Sequence, residues 1–258
     1  MRAHEVDLGC GLIAIGRPWG TTPEVPTEAD AMRLLETAYT LGVRFFDTAP
    51  SYGLSEKRLG LFLGHLTPEE RHGVTVATKF GELWDADTQA GRADHTFDAL
   101  RRSLDNSLGL LGSIAVLQLH KATTDLLDSE DVGRAFEYAR AAGVGAFGVS
   151  ASDVDTATKA LHDERFGFLQ LPYNQGSAQF TPVVQEATSF NTQLIINRPL
   201  SMGKAVSDTA PVDKERALDD AYHFVLSQDF HGFVLSGTAN AIHLRENVES
   251  FQRVQAQL

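Results

Sequence analysis

The chain has 258 residues and 43% apolar content, enough for one large domain with a substantial core. Its formal net charge of −12 speaks against a nucleic-acid partner or an anionic membrane surface, both of which require a basic patch. A single cysteine, Cys10, excludes an internal disulfide and any cysteine-rich metal site.

The first residues lack a basic segment followed by an apolar run, and no stretch approaches the roughly 18 apolar residues of a membrane span. The cytoplasm is therefore the expected location. Short apolar, β-branched runs then alternate with longer helical patterns. The expected strands are Leu12–Ile15, Val43–Asp47, Val74–Lys79, Ile114–His120, Val144–Val149, Phe168–Leu171, Gln193–Asn197 and Gly232–Leu235. Helical periodicity falls near 27–41, 55–65, 95–110, 129–142, 153–163, 180–190, 212–228 and 239–256.

Local punctuation agrees with this division. Thr27, followed by Glu28 and Asp30, marks a helix start, and Gly42 and Gly143 mark helix stops. The longest non-periodic stretch, Phe80 to Asp94, reads as a loop at the mouth of the fold. No linker or change of composition divides the chain, so residues 1–258 are expected to form one domain. Strand–helix alternation repeated eight times predicts the α/β class, as a closed (β/α)8 barrel. An open doubly wound sheet would ordinarily carry Gly-x-Gly-x-x-Gly after its first strand. Here Gly9-Cys10-Gly11 lacks the third glycine, and no Gly-x-x-x-x-Gly-Lys-Ser/Thr phosphate loop is present.

In such a barrel the C-terminal strand ends share one face. Asp47, Lys79 and His120 end the second, third and fourth expected strands, and Tyr52 stands in the turn after the second. Their chemistry is complementary. A free tyrosine is a poor acid at neutral pH, and a neighbouring ammonium lowers its pKa. Asp47 would keep Lys79 charged and aimed, and His120 would orient a carbonyl. Taken singly, each residue has a plainer use as a turn cap, a loop aromatic, a solvated strand end or a structural histidine.

The segment Asp47-Thr48-Ala49-Pro50-Ser51-Tyr52-Gly53-Leu54-Ser55-Glu56, with Lys79 and His120 at later strand ends, resembles the aldo-keto reductase superfamily. The resemblance extends through Gly148-Val149-Ser150, Gln170-Leu171-Pro172-Tyr173-Asn174, Pro199-Leu200 and Gly237 to Asn247. It implies a (β/α)8 barrel that binds a nicotinamide cofactor and transfers hydride between it and an aldehyde or ketone. It also implies Tyr52 as proton donor, Asp47, Lys79 and His120 as its catalytic partners, and no metal.

The resemblance further implies cofactor contacts. Ser150 and Gln170 would meet the carboxamide, Arg198, Leu200, Ser201, Gly203 and Lys204 the pyrophosphate, and Gly237, Thr238, Asn240, His243, Glu246 and Asn247 the adenosine end. Four positions depart from the family pattern: Ala151 replaces an asparagine, Asn197 a stacking aromatic, Gly237 a lysine and His243 an arginine. Family frequency points to NADP(H), whereas the missing cations point to NAD(H) or dual use. The expected partner is a small carbonyl compound. Substrate loops are expected at Pro18-Trp19-Gly20, at 80–94 and after Phe251, with Trp19, Phe80 and Trp84 as candidate wall residues. A cofactor-binding regulatory subunit with little turnover is the alternative reading.

Overall fold

The computed structural model of the protein describes residues 6–20, 24–203 and 213–258. Eight strands close a parallel barrel: β1 (Val6–Gly11), β2 (Phe45–Asp47), β3 (Thr75–Phe80), β6 (Val116–Leu119), β7 (Ala146–Ser150), β8 (Phe168–Pro172), β9 (Gln193–Asn197) and β10 (Gly232–Ser236). The order β1-β10-β9-β8-β7-β6-β3-β2 returns to β1, so the barrel leaves no free edge. Principal outer helices are α1 (Glu28–Thr40), α2 (Ser55–His65), α4 (Phe97–Leu111), α6 (Glu130–Ala141), α7 (Val154–Leu161), α9 (Lys214–Leu226) and α10 (Ala241–Gln255). Shorter helices α3 (Pro68–His72), α5 (Thr124–Leu127) and α8 (Thr181–Glu186) lie between them. Among the described residues no helix is long and apolar enough to cross a membrane.

Strand periodicity divides the core. Phe46, Val76, Leu117 and Val149 pack outward in a large cluster with helix residues such as Leu59, Phe62, Leu104 and Phe136. Their neighbours Phe45, Ala77, Val116, Ile195 and Leu235 form a separate cluster, against which Phe168 and Phe233 pack. The Phe45 and Phe233 rings stack with centroids 3.8 Å apart. Alternate residues of a strand face opposite sides, so this second cluster fills the barrel interior.

Three expected elements differ from the structure. The first strand is Val6–Gly11 rather than Leu12–Ile15, and Ile13–Ile15 forms a 3-10 turn. Glycines hide the true strand. A Cβ on Gly9 would come within 2.9 Å of Phe45 Cδ1 and Leu235 Cδ2, so the interior aromatic takes the space a side chain would need. The expected loop at 80–94 contains an antiparallel ribbon of β4 (Glu82–Asp85) and β5 (Ala90–Ala93). Asp85 Oδ1 turns it by accepting the Asp87 and Thr88 amides at 2.9 and 3.0 Å. The tail after Phe251 continues α10, with Phe251 and Val254 buried, and is not an open loop.

The turn after β2 rests directly on the loop after β1. Gly16 O accepts the Leu54 amide at 3.0 Å, and Gly53 takes a left-handed φ of 62°. A Cβ on Gly16 would run into the Tyr52 carbonyl oxygen and Ser55. Gly16→Ala is therefore expected to cost roughly 1–3 kcal/mol through overpacking. Urea unfolding measures this, and an unchanged midpoint would show that the 50–54 turn yields freely.

Candidate active site

The alternation that fills the barrel interior also builds the site. Two residues beyond Phe45, Ala77, Val116, Phe168 and Ile195, on the same face of each strand, stand Asp47, Lys79, Gln118, Gln170 and Asn197. A polar layer therefore caps the apolar interior at the C-terminal strand ends. Asp47 is its centre. One carboxylate oxygen, Oδ2, accepts from Lys79 Nζ at 2.7 Å, and the other accepts from Gln118 Nε2 at 3.0 Å and Gln170 Nε2 at 2.9 Å.

Lys79 has no solvent exposure. It also donates to Thr48 O at 2.9 Å, and its Nζ lies 4.8 Å from the Tyr52 ring centroid. Burial acts to lower its pKa, but Asp47 and Tyr52 outweigh that and hold the ammonium above its ordinary value. Burial pushes the Tyr52 phenol up, Lys79 opposes this, Asp47 adds to it, and Arg17 also opposes. The result is a protonated phenol beside a fixed positive charge. That arrangement can release a proton and stabilise the phenolate left behind.

His120 follows β6, its ring 6.1 Å from that of Tyr52 in an edge-on arrangement. Its Nδ1 lies 3.2 Å from Glu82 Oε2 and 3.3 Å from Ser51 Oγ. Burial, reinforced by the charges of Lys79, Lys121 and Arg17, drops its pKa well below the ordinary histidine value. The ring is thus neutral near pH 7, and the Glu82 contact is a hydrogen bond donated by Nδ1–H rather than an ion pair. The proton on Nδ1 leaves Nε2 as an acceptor.

Asp47, Tyr52, Glu82 and His120 line a cleft of about 540 Å3, within the usual range for small-molecule sites. Of the expected cofactor residues, Ser150, Gln170, Arg198, Leu200, Gly203, Gly237, Thr238, Asn240 and His243 line it. Ser150 Oγ donates to Gln170 Oε1 at 3.1 Å. Ser201 is not among the lining residues, and Lys204 lies outside the described residues. Glu246 pairs instead with Lys214 at 2.6 Å. Asn247 is buried and donates to Ser236 Oγ at 2.9 Å.

Of the expected wall residues only Trp19 lines the cleft. Phe80 is a correction: it is fully buried on the outer side of β3, with its ring 5.0 Å from that of Phe136. Trp84 borders a smaller adjoining hollow and packs on the Arg17 guanidinium at 4.4 Å. Three contributors escaped the sequence reading: Gln118, Glu82 and Arg17. Gln118 had a signal, as the one polar residue inside Val116–Leu119. The other two reach the site only through folding of the ribbon and the loop after β1. Among the described residues no group of three or more His, Cys, Asp or Glu could hold a metal ion.

Two measurements follow from this geometry. Lys79→Met leaves Asp47 buried without its cation and is expected to cost roughly 3–5 kcal/mol in urea unfolding. Asp47→Asn combined with Lys79→Met should recover part of that loss, whereas additive losses would show that the pair is not the coupled unit. For His120, the unfolded chain binds its proton near pH 6.5, while the native ring binds it only at much lower pH. Its stability contribution is complete above about 6.5 and drains away as pH falls toward the native pKa. His120→Gln should flatten the fall of Tm in that acid window, and a parallel shift of the whole curve would contradict this.

The sequence profile of the aldo/keto reductase family matches residues 7–220. The chain is 34% identical to D-threo-aldose 1-dehydrogenase from Pseudomonas sp, over 53% of this chain and 48% of that protein. It is also 34% identical to L-galactose dehydrogenase from Arabidopsis thaliana, over 47% of this chain and 36% of that one. The matches thus span less than half the length of these curated relatives. A crystal structure from Pseudomonas aeruginosa, described as an aldo-keto reductase, superposes with a TM-score of 0.80 at 25% identity, covering 96% of this chain and 89% of its own. With the match running from the first barrel strand into α9, the chain belongs to the aldo/keto reductase family.

Proposed function

We propose that the protein is a nicotinamide-dependent oxidoreductase that interconverts small aldehydes or ketones with their alcohols, with Tyr52 as the acid–base residue. The observation that carries this is the solvent-excluded Lys79 ammonium, clamped by Asp47 and set 4.8 Å from the Tyr52 ring centroid. An ion pair with a purely structural role has no need of a phenol at the cleft surface. The names of the matched relatives, both dehydrogenases, support the same reading and lend nothing to a regulatory subunit.

The cleft fits the cofactor. Asn197 Oδ1 is buried without a hydrogen-bond partner and belongs to a cleft-lining residue, near Ser150 and Gln170. It offers an acceptor for a carboxamide N–H, which offsets the loss of the family's asparagine at Ala151. Farther along, the 198–203 turn and the Gly237–Asn240 segment before α10 line the same cleft and would hold the phosphates. Bound there, the cofactor supplies or accepts the hydride.

The protein's own residues handle the proton and the orientation. In reduction the Tyr52 hydroxyl protonates the substrate oxygen, and Lys79 stabilises the phenolate. In oxidation the phenolate takes the alcohol proton back. Neutral His120, whose Nδ1–H donates to Glu82, presents an acceptor at Nε2 that matches an alcohol hydroxyl. This pairing favours productive binding of the alcohol at neutral pH. NADP(H) is our first choice of cofactor on family frequency; NAD(H) is second, favoured by the lack of a strong cation at Gly237 and His243.

Fluorescence titration with NADPH and NADH ranks the two cofactors. Tyr52→Phe is expected to lower turnover of a generic aldehyde by about 10²- to 10⁴-fold while cofactor binding is retained. Undiminished turnover in that variant would remove Tyr52 from the mechanism. Wild-type protein that binds cofactor yet converts no carbonyl or alcohol would remove the activity.

A further inference from the structure

Arg17 lies in the loop after β1 and lines the cleft together with Tyr52, His120 and Glu82. Its guanidinium carbon lies 4.4 Å from the Trp84 ring centroid and 5.2 Å from that of Trp19, so two indoles hold it in place. Its Nε is buried without a hydrogen-bond partner, and among the described residues no carboxylate comes within ion-pair distance of it. Glu82, the nearby acid, is already engaged by His120 at 3.2 Å and Lys121 at 3.6 Å. Burial lowers the Arg17 pKa and the nearby charge of Glu82 only partly opposes this, so the guanidinium is partly desolvated and immobilised without a direct partner.

The surroundings sharpen the point. The protein carries a net charge of −12, yet the charged lining of its cleft is Arg17, Lys121 and Arg198 against Asp47 and Glu82. Asp47 is neutralised by Lys79, and Glu82 by Lys121. Two guanidiniums remain over for ligands. Arg198, in the 198–203 turn assigned above to the cofactor phosphates, lies 5.6 Å from the Trp19 ring centroid, whereas Arg17 packs on Trp84 as well as Trp19 and acts electrostatically on Tyr52 and His120.

We propose that Arg17 binds an oxyanion group on the substrate, so that the preferred substrates are carbonyl compounds or alcohols bearing a carboxylate or a phosphate. This rests on the oxidoreductase reading and adds the substrate class to it. The planar guanidinium matches an oxyanion in two-point geometry, and the flanking indoles limit its loss of freedom on binding. A substrate anchored at one end by Arg17 would place its reacting oxygen toward Tyr52 and His120.

The test compares 4-carboxybenzaldehyde with its methyl ester and with benzaldehyde, and glyceraldehyde 3-phosphate with glyceraldehyde. In wild-type protein the charged member of at least one set is expected to have the higher kcat/KM. Arg17→Met should reduce kcat/KM for that charged substrate by about 10- to 100-fold more than for neutral aldehydes, mainly through KM. Arg17→Lys should restore part of the loss. The carboxylate and phosphate sets separately identify which oxyanion is used. Equal losses on charged and neutral substrates would overturn the proposal and make Arg17 a tuner of Tyr52 or a structural clamp.

Binding provides a readout that does not need turnover. Trp19 and Trp84 are the chain's two tryptophans, and both pack on Arg17. Benzoate or inorganic phosphate added to the NADP+-saturated protein should change their fluorescence saturably, with benzamide inert and the response lost in Arg17→Met. Absent turnover with this response intact would sink the oxidoreductase reading and leave the anion site standing. Turnover of neutral aldehydes without either a charged-substrate preference or this response would sink the anion site alone.

Discussion

The structure depends on one buried ion pair. Lys79 and Asp47 meet at 2.7 Å with almost no solvent access, on top of an apolar interior closed by the stacked rings of Phe45 and Phe233. Neither charge would be tolerable there alone, because burial of an unpaired ion costs several kcal/mol. The pair survives because the remaining valences are filled. Gln118 and Gln170 both donate to the free oxygen of Asp47, and Thr48 O takes a second Lys79 proton. Four strands thus contribute to one carboxylate–ammonium unit, and the phenol of Tyr52 is set against a charge that cannot move away.

Around this rigid centre the more variable chemistry is carried by connections. The 50–54 turn positions Tyr52 through the close backbone approach of Gly16 and Gly53, which no side chain could share. The β4–β5 ribbon delivers Glu82 to Nδ1 of His120, and the loop after β1 delivers Arg17 to the same end of the cleft. Strand ends therefore provide the buried polar centre, and loops decide what surrounds it. This division follows from barrel geometry, in which strand ends are held by hydrogen bonds on both sides and loops are anchored only at their bases.

The electrostatics point the same way. Burial and three neighbouring cations keep His120 neutral, and burial holds Tyr52 protonated against the opposing charge of Lys79. The cleft of this acidic protein is lined by two guanidiniums, Arg17 and Arg198, beside Lys121. Such a distribution draws anionic ligands toward the site from a surface that otherwise repels them.

Much of this was legible in the sequence. Alternating apolar runs and helical periodicities placed seven of the eight barrel strands to within a few residues, and the spacing of Asp47, Tyr52, Lys79 and His120 located the chemical centre. Those features are written locally, in periods of two and 3.6 residues and in strand-end positions. The first strand was missed because Gly9 and Gly11 carry no hydrophobic signal; their bareness makes sense only once Phe45 and Leu235 occupy the space beside Gly9. The ribbon at 82–93 was missed because β5 is wholly exposed and the one buried residue of β4 is the charged Glu82, so no apolar alternation marks it. Phe80 looked like a cleft residue until the pleat of β3 turned it outward, opposite in direction to Lys79 beside it. The sequence alone determined the barrel and the placing of Asp47, Lys79 and His120 at its strand ends, because period and chain order encode them. Only the tertiary structure decided that Gln118 completes Asp47, that Glu82 reaches His120 and that Arg17 stands unpaired between two indoles. Those are contacts between segments far apart in the chain, and no local pattern specifies them.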